Sequence, residues 1–267
     1  MSEKVRVDTA LVTRGLCQSR EKARAMIMAG EVYVDKKKVL KPSEQVTEED
    51  HLIVRNAIPV YVSRGAFKLE KAIKVFEADF ERKVVLDIGA STGGFTEVSL
   101  RHGAKRVYSV DVGYGQLDWK LRNDPRVTVM ERTNARYLTA EQFDERPEIT
   151  VMDVSFISIQ KILPVASEIM GNDGVFYTLI KPQFEAGRGL VGKKGVVRDA
   201  GVHEEVIWDI VQFVQSFSWC INHIDYSPIT GPEGNIEFLA EIRPAGKSVS
   251  LEDVKETVAR AHRDLKG

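Results

Sequence analysis

The chain has 267 residues and a hydrophobic content of 43%, enough for one large core and a small additional module. The formal net charge of −1 points to no particular partner, and two distant cysteines exclude a disulfide framework and a cysteine metal site. No apolar signal core opens the sequence and no stretch reaches the roughly 20 apolar residues that span a bilayer, so we expect a cytoplasmic protein without membrane or metal partners.

The first part of the chain predicts short elements, as far as a division near Pro59. Ser19 can cap a helix, and Gly15 and Gly30 are typical residues to end one. The predicted elements are helices at 9–14 and 19–29, strands at 32–34 and 52–54, and a lysine turn at 35–38.

Basic residues are concentrated in this part. Between Leu11 and Lys41 there are eight basic and three acidic residues, a local net charge of +5. Gathered on one face, formed by the second helix and the lysine turn, this charge is typical of a protein that binds a phosphate backbone. A solvated helix face and a polar hairpin turn would give the same count.

Two segments here, Arg6–Leu16 and Ser19–Asp35, resemble the S4 family of RNA-binding domains. The resemblance covers roughly residues 5 to 57 and implies two helices with a small sheet that hold structured RNA through basic side chains. We therefore expect residues 1–58 to form a small α+β RNA-binding domain. The residues expected to contact RNA are Arg14, Arg20, Lys22, Arg24, Lys36, Lys37 and Lys38.

After Pro59 the sequence alternates between strands and helices. Strands are predicted at 84–89, 106–111, 127–130, 149–153, 174–181, 220–227 and 236–242, and helices at 92–101, 159–170, 203–217 and 251–265. This alternation predicts an α/β fold with a doubly wound, mostly parallel, Rossmann-like sheet. The last two strands are joined by a loop, which indicates an antiparallel pair at one edge, as in class I methyltransferases.

The loop after the first of these strands, Asp87 to Phe95, indicates the cofactor. Its glycine spacing departs from the dinucleotide fingerprint, and Asp87 would repel a pyrophosphate but could hold a cationic amino acid group. Asp111, at the end of the next strand, could accept hydrogen bonds from two ribose hydroxyls. These features favour S-adenosylmethionine over a glycine turn needed only for tight packing. The residues predicted to bind it are Asp87, Gly89, Ser91, Thr92, Gly93, Gly94, Phe95, Asp111, Asp153 and Asn134, which is equally consistent with an ordinary turn residue.

Two apolar strands each deliver one charged residue at the carboxyl end, Asp153 and Lys181. This position is the ligand crevice of an open α/β sheet. Lys68, upstream of the sheet, and Glu237, at the start of the last strand, fit the same crevice. Beside a glycine-rich loop, such a set indicates methyl transfer to a ribose hydroxyl. The alternative is structural, two buried salt bridges that join Lys68 to Glu237 and Asp153 to Lys181.

The chemistry suggests a role for each charge. A ribose 2′-hydroxyl is a poor acid and must lose its proton as it attacks the methyl carbon. A lysine must be neutral to take that proton, and burial together with a second lysine nearby favours the neutral form. Lys181, with Lys68 beside it, is therefore the predicted base, while Asp153 would orient the reactants and Glu237 a lysine.

Other methyl-transfer chemistries fit poorly. Exocyclic amine methylases carry a proline-containing turn after the fourth strand, where this chain has Asp153-Val-Ser-Phe156. Cytosine C5 methylation needs a cysteine nucleophile in a loop, but Cys220 falls in a predicted strand and Cys17 outside the catalytic domain. Both chemistries are disfavoured.

Five segments resemble the FtsJ-like ribose methyltransferases: Ser63–Leu69, Asp87–Phe95, Asp153–Ser158, Lys181–Glu185 and Pro228–Leu239. With the S4-like domain in front, the whole chain resembles the TlyA family of hemolysin-A-like rRNA methyltransferases. The resemblance implies that residues 59–267 form an S-adenosylmethionine-dependent domain that 2′-O-methylates cytidines of 16S ribosomal RNA, 23S ribosomal RNA or both. Its expected partner is ribosomal RNA or a ribosomal subunit. The resemblance also implies a linker near residues 56–60 and a catalytic tetrad of Lys68, Asp153, Lys181 and Glu237.

Two more features fit RNA as the substrate. The basic, glycine-rich loop 187–195 could close over a phosphate backbone through Lys193 and Lys194, or could be a flexible surface loop. Phe156 and Phe184 flank the predicted site and could stack a base or pack in the core.

Two other functions compete with this prediction: an RNA-binding protein with an inactive methyltransferase domain, and a hemolysin-like membrane-active protein. The complete glycine loop and the four charges argue against the first. The lack of a signal peptide and of a spanning segment argues against the second.

Overall fold

The computed structural model describes residues 4–17, 19–28, 30–35, 37–54, 61–192 and 194–265. The chain forms two compact units, residues 1–61 and 62–267. The predicted division after residue 58, the linker at 56–60 and the helix end at Ala29 lie outside the described residues, as do Lys36 and Lys193.

The N-terminal unit combines two short helices with a two-stranded and a three-stranded sheet. Its elements are α1 (Val7–Thr13), α2 (Arg20–Met28), β1 (Val5–Arg6), β2 (Val32–Val34), β3 (Lys37–Lys38), β4 (Gln45–Val46) and β5 (Leu52–Val54). Ser19 caps α2, since its hydroxyl accepts a hydrogen bond from the backbone N–H of Lys22 at 3.3 Å. Apolar residues from both helices and from the strands form one small core, which includes Leu11, Ile27 and Val32.

The C-terminal unit alternates strands and helices as predicted, and its described residues form three helices beyond the four predicted ones. The helices are α3 (Ala66–Phe76), α4 (Gly94–Arg101), α5 (Trp119–Arg122), α6 (Leu163–Met170), α7 (Pro182–Glu185), α8 (Ala200–Ser216) and α9 (Leu251–Leu265). The strands are β6 (Val84–Ile88), β7 (Arg106–Val110), β8 (Val127–Met130), β9 (Ile149–Met152), β10 (Val175–Ile180), β11 (Cys220–Tyr226) and β12 (Phe238–Arg243).

These strands form a seven-stranded sheet in the order β11-β12-β10-β9-β6-β7-β8. Strands β6 to β10 pair in parallel, and β12 is antiparallel to both β10 and β11, which confirms the predicted edge pair. Every residue of β6 and β10 is buried, as expected for central strands covered on both faces. The chain order reverses between β6 and β9, and ligands bind beyond the carboxyl ends of the strands at such a point.

Several element bounds differ from the predicted ones. Strands β9 and β10 end one residue earlier, so Asp153 and Lys181 lie just beyond them. Glu237, predicted to start the last strand, precedes β12 by one residue. The helix predicted at 159–170 begins as a 3-10 turn, and α6 follows with Pro164 in its first turn, where a proline fits. None of the helices in the described parts of the chain has the length and apolar character to cross a membrane.

Candidate active site

The four predicted catalytic residues meet beyond the carboxyl edge of the sheet. Asp153 and Lys181 follow the parallel neighbours β9 and β10, Lys68 projects from α3, and Glu237 comes from the turn before β12. The side chains of Lys68, Lys181 and Glu237 are at most 9% exposed, and that of Asp153 is 18% exposed. Strand order thus gathers charges that are up to 169 residues apart in the chain.

These side chains form a continuous network of ion pairs, here called the tetrad network. Lys68 Nζ lies 2.7 Å from Glu237 Oε2 and 3.0 Å from Asp153 Oδ2. Lys181 Nζ lies 2.6 Å from Asp153 Oδ1 and donates a hydrogen bond to Ser155 Oγ at 3.0 Å. Both salt bridges of the structural alternative are present, and the contact between Lys68 and Asp153 joins them.

Burial and the neighbouring charges shift the pKa values of this network in opposite directions. Burial disfavours the charge on Asp153, but Lys181 and Lys68 outweigh it and hold the pKa of the carboxyl below its usual range. Burial also opposes the charge on Lys68, yet Asp153 and Glu237 raise the pKa of its ammonium group. The carboxylate of Asp153 lies between Lys68 and Lys181 and contacts both.

Two cavities adjoin the tetrad network. The larger, of about 430 Å³, is lined by Asp111 and by apolar side chains at the ends of β6 and β7. The smaller, of about 290 Å³, is lined by all four tetrad residues. Gly89, Ser91, Asp153 and Ser155 line both cavities, so the two form neighbouring compartments of one groove.

Most of the predicted cofactor residues line this groove: Gly89, Ser91, Thr92, Gly94, Phe95, Asp111, Asn134 and Asp153. Asp111 accepts backbone hydrogen bonds from Ser91 at 2.8 Å and from Gly113 at 2.7 Å, one on each carboxylate oxygen. Each oxygen keeps a lone pair for a further donor such as a ribose hydroxyl. Asn134 also caps a turn by accepting from the backbone N–H of Arg136 at 3.1 Å.

Asp87 and Gly93 lie behind this lining. Asp87 is fully buried within β6, and its Oδ2 accepts a hydrogen bond from Thr96 Oγ1 at 2.6 Å. Burial raises the pKa of Asp87 to about 7, although the hydrogen bond from Thr96 opposes this effect. Its Oδ1 has no hydrogen-bond partner within the described residues, but Asp87 lines neither cavity, so its contact with the cofactor stays a prediction.

Gly89 allows the loop to pass close to the tetrad network. Its φ is +84°, and a Cβ atom there would lie 2.9 Å from the backbone oxygen of Asp153. A side chain at this position would strain the backbone and displace Asp153. At Gly94 a Cβ atom would lie 3.0 Å from the backbone nitrogen of Ala66, so this glycine lets α4 begin close to α3.

In the N-terminal unit, the predicted RNA-binding arginines have structural partners. Arg20 and Arg24 contact the buried carboxylate of Asp8 at 3.3 and 3.1 Å, and Arg6 contacts it at 3.0 Å. The guanidinium group of Arg6, with those of Arg24 and Arg20, holds the pKa of Asp8 well below its usual range. The three arginine side chains remain 42–54% exposed, so they can still meet a ligand.

Arg14 is also part of the structure of this unit. It donates hydrogen bonds to the backbone oxygens of Thr47 and Asp50 at 2.6 and 2.7 Å, which fastens the turn between β4 and β5. The remaining described residues of the predicted RNA-binding set are exposed lysines: Lys22, Lys37 and Lys38. The count of basic residues could not separate these lysines from the arginines that hold the unit together.

In the basic loop after α7, Lys194 is exposed and the end of the loop is held by hydrogen bonds. Asn235 Oδ1 accepts a hydrogen bond from the backbone N–H of Val197 at 3.1 Å, and Asn235 Nδ2 donates to the oxygen of Gly195 at 2.9 Å. Asn235 lies two residues before Glu237, so the end of this loop is attached to the turn that carries a tetrad residue.

Phe156 and Phe184 lie next to each other, with ring centroids 5.1 Å apart. Phe156 has a φ of +65° and is 91% exposed, which excludes core packing for this residue. Lys181 Nζ lies 5.9 Å from the ring centroid of Phe184, so the pair borders the tetrad network.

Sequence reasoning missed several residues that line the groove. Ser63 and Pro232 line the smaller cavity, Gln116 the larger and Ser155 both. A signal was available for three of these residues, because the FtsJ-like segments contain Ser63, Ser155 and Pro232. Gln116 lies in a loop without a motif. Within the described ranges, no group of three or more His, Cys, Asp or Glu side chains could hold a metal ion.

Comparison with known proteins follows the same division of the chain. A family described as FtsJ-like methyltransferase matches residues 61–243, and the S4 domain family matches residues 5–52. The 16S/23S rRNA (cytidine-2′-O)-methyltransferase TlyA of Mycobacterium tuberculosis is 42% identical over 263 residues, 98% of each chain. The chain belongs to the TlyA family of FtsJ-like methyltransferases.

Other members of this family include proteins named for hemolysis. Hemolysin A of Brachyspira hyodysenteriae is 45% identical over 237 residues, 88% of this chain and 98% of that protein. A solved structure from Streptococcus thermophilus, with the provisional name hemolysin, has 42% identity and a TM-score of 0.76, and covers 100% of this chain and 98% of its own.

Proposed function

We propose that the protein is an S-adenosylmethionine-dependent methyltransferase that methylates the 2′-hydroxyl of cytidines in 16S ribosomal RNA, 23S ribosomal RNA or both. The observation that carries the proposal is the buried tetrad network at the junction of two cavities. The activity for which the Mycobacterium tuberculosis relative is named supports the substrate, and the S4 match supports RNA binding. A complete tetrad network argues against an inactive methyltransferase domain.

The groove fits S-adenosylmethionine by its donors and acceptors. Asp111 would accept hydrogen bonds from the ribose hydroxyls, and Asn134 would face the adenine. The unpartnered oxygen of Asp87 would receive the amino group. When bound, S-adenosylmethionine supplies an electrophilic methyl group. The remaining chemistry belongs to the tetrad residues.

Lys181 is the proposed general base. Its neutral amine would accept the proton of the 2′-hydroxyl, so the hydroxyl O–H bond breaks as a new N–H bond forms at Nζ. The resulting ammonium group would pair with Asp153, the contact that the structure already contains. Glu237 and Asp153 together hold Lys68, which places positive charge on the far side of Asp153.

RNA would be held by both units. In the N-terminal unit the candidates are the half-exposed arginines around Asp8, together with Arg14 and the lysines Lys22, Lys36, Lys37 and Lys38. In the C-terminal unit they are Lys193 and Lys194 of the basic loop. An assembled ribosomal subunit and naked ribosomal RNA would both offer the phosphate groups that such side chains bind.

The test is methyl transfer from labelled S-adenosylmethionine to naked ribosomal RNA and to ribosomal subunits, followed by mass spectrometry of the nucleosides. We expect 2′-O-methylcytidine from the intact protein. Lys181→Ala should lower the rate by about 100-fold or more, as expected for loss of a general base, and should leave the affinity for S-adenosylmethionine within about threefold.

Lys255→Ala is the matched control, since Lys255 is an exposed residue of α9. This variant should transfer methyl groups at the normal rate. Methyl on a base would overturn the role of the tetrad network, and near-normal turnover by Lys181→Ala would remove Lys181 as the base. No transfer to any ribosomal RNA would overturn the proposed substrate.

A further inference from the structure

Ser155 makes a directional contact with the proposed base. Its hydroxyl oxygen accepts a hydrogen bond from Lys181 Nζ at 3.0 Å. Ser155 is exposed and lines both cavities of the groove. Ser155 is not one of the four tetrad residues.

The segment that carries Ser155 is fastened at both ends. The backbone N–H of Asp153 donates to the oxygen of Ile88 in β6 at 3.2 Å. At the other end Glu185 accepts hydrogen bonds from Ser158 Oγ at 2.6 Å and from the backbone N–H of Ile159 at 2.8 Å. Exposed loop residues are commonly mobile, but these bonds set the position of this short segment and therefore of the Ser155 hydroxyl.

Lys181 Nζ has two contacts of different kinds. The ion pair with Asp153 Oδ1 is an attraction between charges, which depends little on where the N–H bonds point. The hydrogen bond to Ser155 Oγ depends strongly on that direction. A neutral lysine has two N–H bonds and one lone pair, so an acceptor that fixes one N–H bond also restricts the lone pair.

We propose that Ser155 is a positioning residue for methyl transfer, whose hydroxyl oxygen orients the Lys181 amine so that the lone pair of the neutral base faces the smaller cavity. This inference rests on the proposed function, because it requires Lys181 to act as the base. The ribose hydroxyl would enter the cavity that all four tetrad residues line.

Removal of the hydroxyl has two consequences. In Ser155→Ala the lone pair is less restricted, so the rate of the methyl-transfer step at high pH should fall by about threefold to tenfold, within the range of general-base effects. The ammonium form of Lys181 donates a stronger hydrogen bond than the neutral amine, so loss of the acceptor disfavours the ammonium form more. The acid limb of the pH–rate profile should therefore move to lower pH, by about half a unit to one unit.

The other charged groups that face Lys181 do not change in this variant. Asp153 contacts it directly, and Lys68 and Glu237 lie beyond Asp153 in the same network. Glu185, on α7, is held by Ser158 and Ile159. A shift of the acid limb in Ser155→Ala would thus report the lost hydrogen bond.

The experiment is a single-turnover measurement of methyl transfer between about pH 6 and 10, with excess protein, saturating S-adenosylmethionine and unmodified ribosomal RNA transcribed in vitro. The variants are Ser155→Ala, Ser155→Thr and Ser158→Ala. Ser155→Thr keeps the hydroxyl and should restore both the rate and the acid limb. Ser158→Ala loosens the segment without touching Lys181, so it should lower the rate but leave the acid limb in place.

The positioning role would be overturned if Ser155→Ala kept the normal rate and acid limb, or if Ser155→Thr behaved like Ser155→Ala. A shifted acid limb in Ser158→Ala would also overturn it, since loosening of the segment would then explain the effect. Failure of the proposed function looks different, because the intact protein would then methylate no RNA or Lys181→Ala would remain active. A midpoint of unfolding in urea equal to that of the intact protein confirms that Ser155→Ala is folded.

Discussion

Asp153 is the central residue of the site, because it contacts two lysines and lies against the glycine loop. Its carboxylate contacts Lys68 and Lys181, and its backbone oxygen lies where a side chain on Gly89 would collide. Loss of one partner from a buried ion pair costs about 3–5 kcal/mol, because the other charge remains buried. The position of this one carboxylate therefore controls both the charge balance of the tetrad network and the geometry of the glycine loop.

Gly89→Ala tests this dependence at the scale of one residue. The substitution adds strain at a φ of +84° and a contact of 2.9 Å with the backbone oxygen of Asp153. We expect methyl transfer to fall by about tenfold or more, as displacement of a catalytic group by an ångström can do, and the affinity for S-adenosylmethionine to weaken. Isothermal titration and single-turnover kinetics measure the two effects.

Gly15→Ala is the matched control, because Gly15 has a φ of +70° but no atom within 4 Å of a built Cβ. It lies in the N-terminal unit and should have only the conformational cost, about 1 kcal/mol. Equal losses of methyl transfer in both variants would mean that backbone strain, and not the contact with Asp153, explains the result.

At the scale of elements, α2 serves both the core and the surface of the N-terminal unit. Ala23 and Ile27 are buried, while Arg20 and Arg24 reach Asp8 and Lys22 is exposed. The residues of one short helix therefore include some that pack in the core, some that form ion pairs with Asp8 and some that are exposed to solvent.

We therefore expect lysine variants and arginine variants of the N-terminal unit to differ in their effects on RNA binding and on stability. Lys22→Ala with Lys37→Ala should weaken RNA binding and lower the slope of log affinity against log salt by up to about 2, if both lysines contact phosphates. Both side chains are exposed, so we expect a smaller change in the free energy of unfolding than for the arginine pair. Arg20→Ala with Arg24→Ala should weaken RNA binding and also destabilise the fold, because Asp8 loses two partners.

Filter binding at several salt concentrations and unfolding in urea measure these effects. RNA affinity that stays normal in both double variants would remove the N-terminal unit from substrate recognition. Destabilisation by the lysine pair as large as that by the arginine pair would contradict the assignment of the ion-pairing role to Arg20 and Arg24.

At the scale of the whole molecule, the core of the C-terminal unit extends from β6 to α9 as one cluster. Asp87 carries a titratable group into the centre of the sheet, fully buried in β6. Its pKa is raised to about 7, from an ordinary value near 3.9. The folded protein therefore binds a proton that the unfolded chain releases between these two pH values.

The sign of the effect on stability follows from proton linkage. A group that holds its proton more tightly in the folded state stabilises the fold at low pH, and this contribution is lost as the pH rises from about 4 to about 7. Asp87→Asn removes the contribution, so the difference between the unfolding free energies of the two proteins should change by a few kcal/mol across this window. Urea unfolding at several pH values measures it, and parallel profiles would show that Asp87 does not titrate in this range.

Much of the fold could be predicted because local patterns determine it. Apolar runs indicated every strand of the large sheet, and the loop between the last two strands indicated the antiparallel edge pair. The ends of elements were predicted less accurately, as at Glu237 and α6. The last turn of a helix or the last paired residue of a strand depends on neighbours that are distant in the chain.

The sequence alone determined the α/β class, the family and the four charges of the site, since strand periodicity and the motif segments are local properties of the chain. Only the tertiary structure decided how those charges pair. It placed Asp153 between two lysines, buried Asp87 away from solvent, engaged Arg20 and Arg24 on Asp8 and brought Ser155 to Lys181. Burial and ion pairing depend on distances between residues far apart in sequence, and strand order sets those distances.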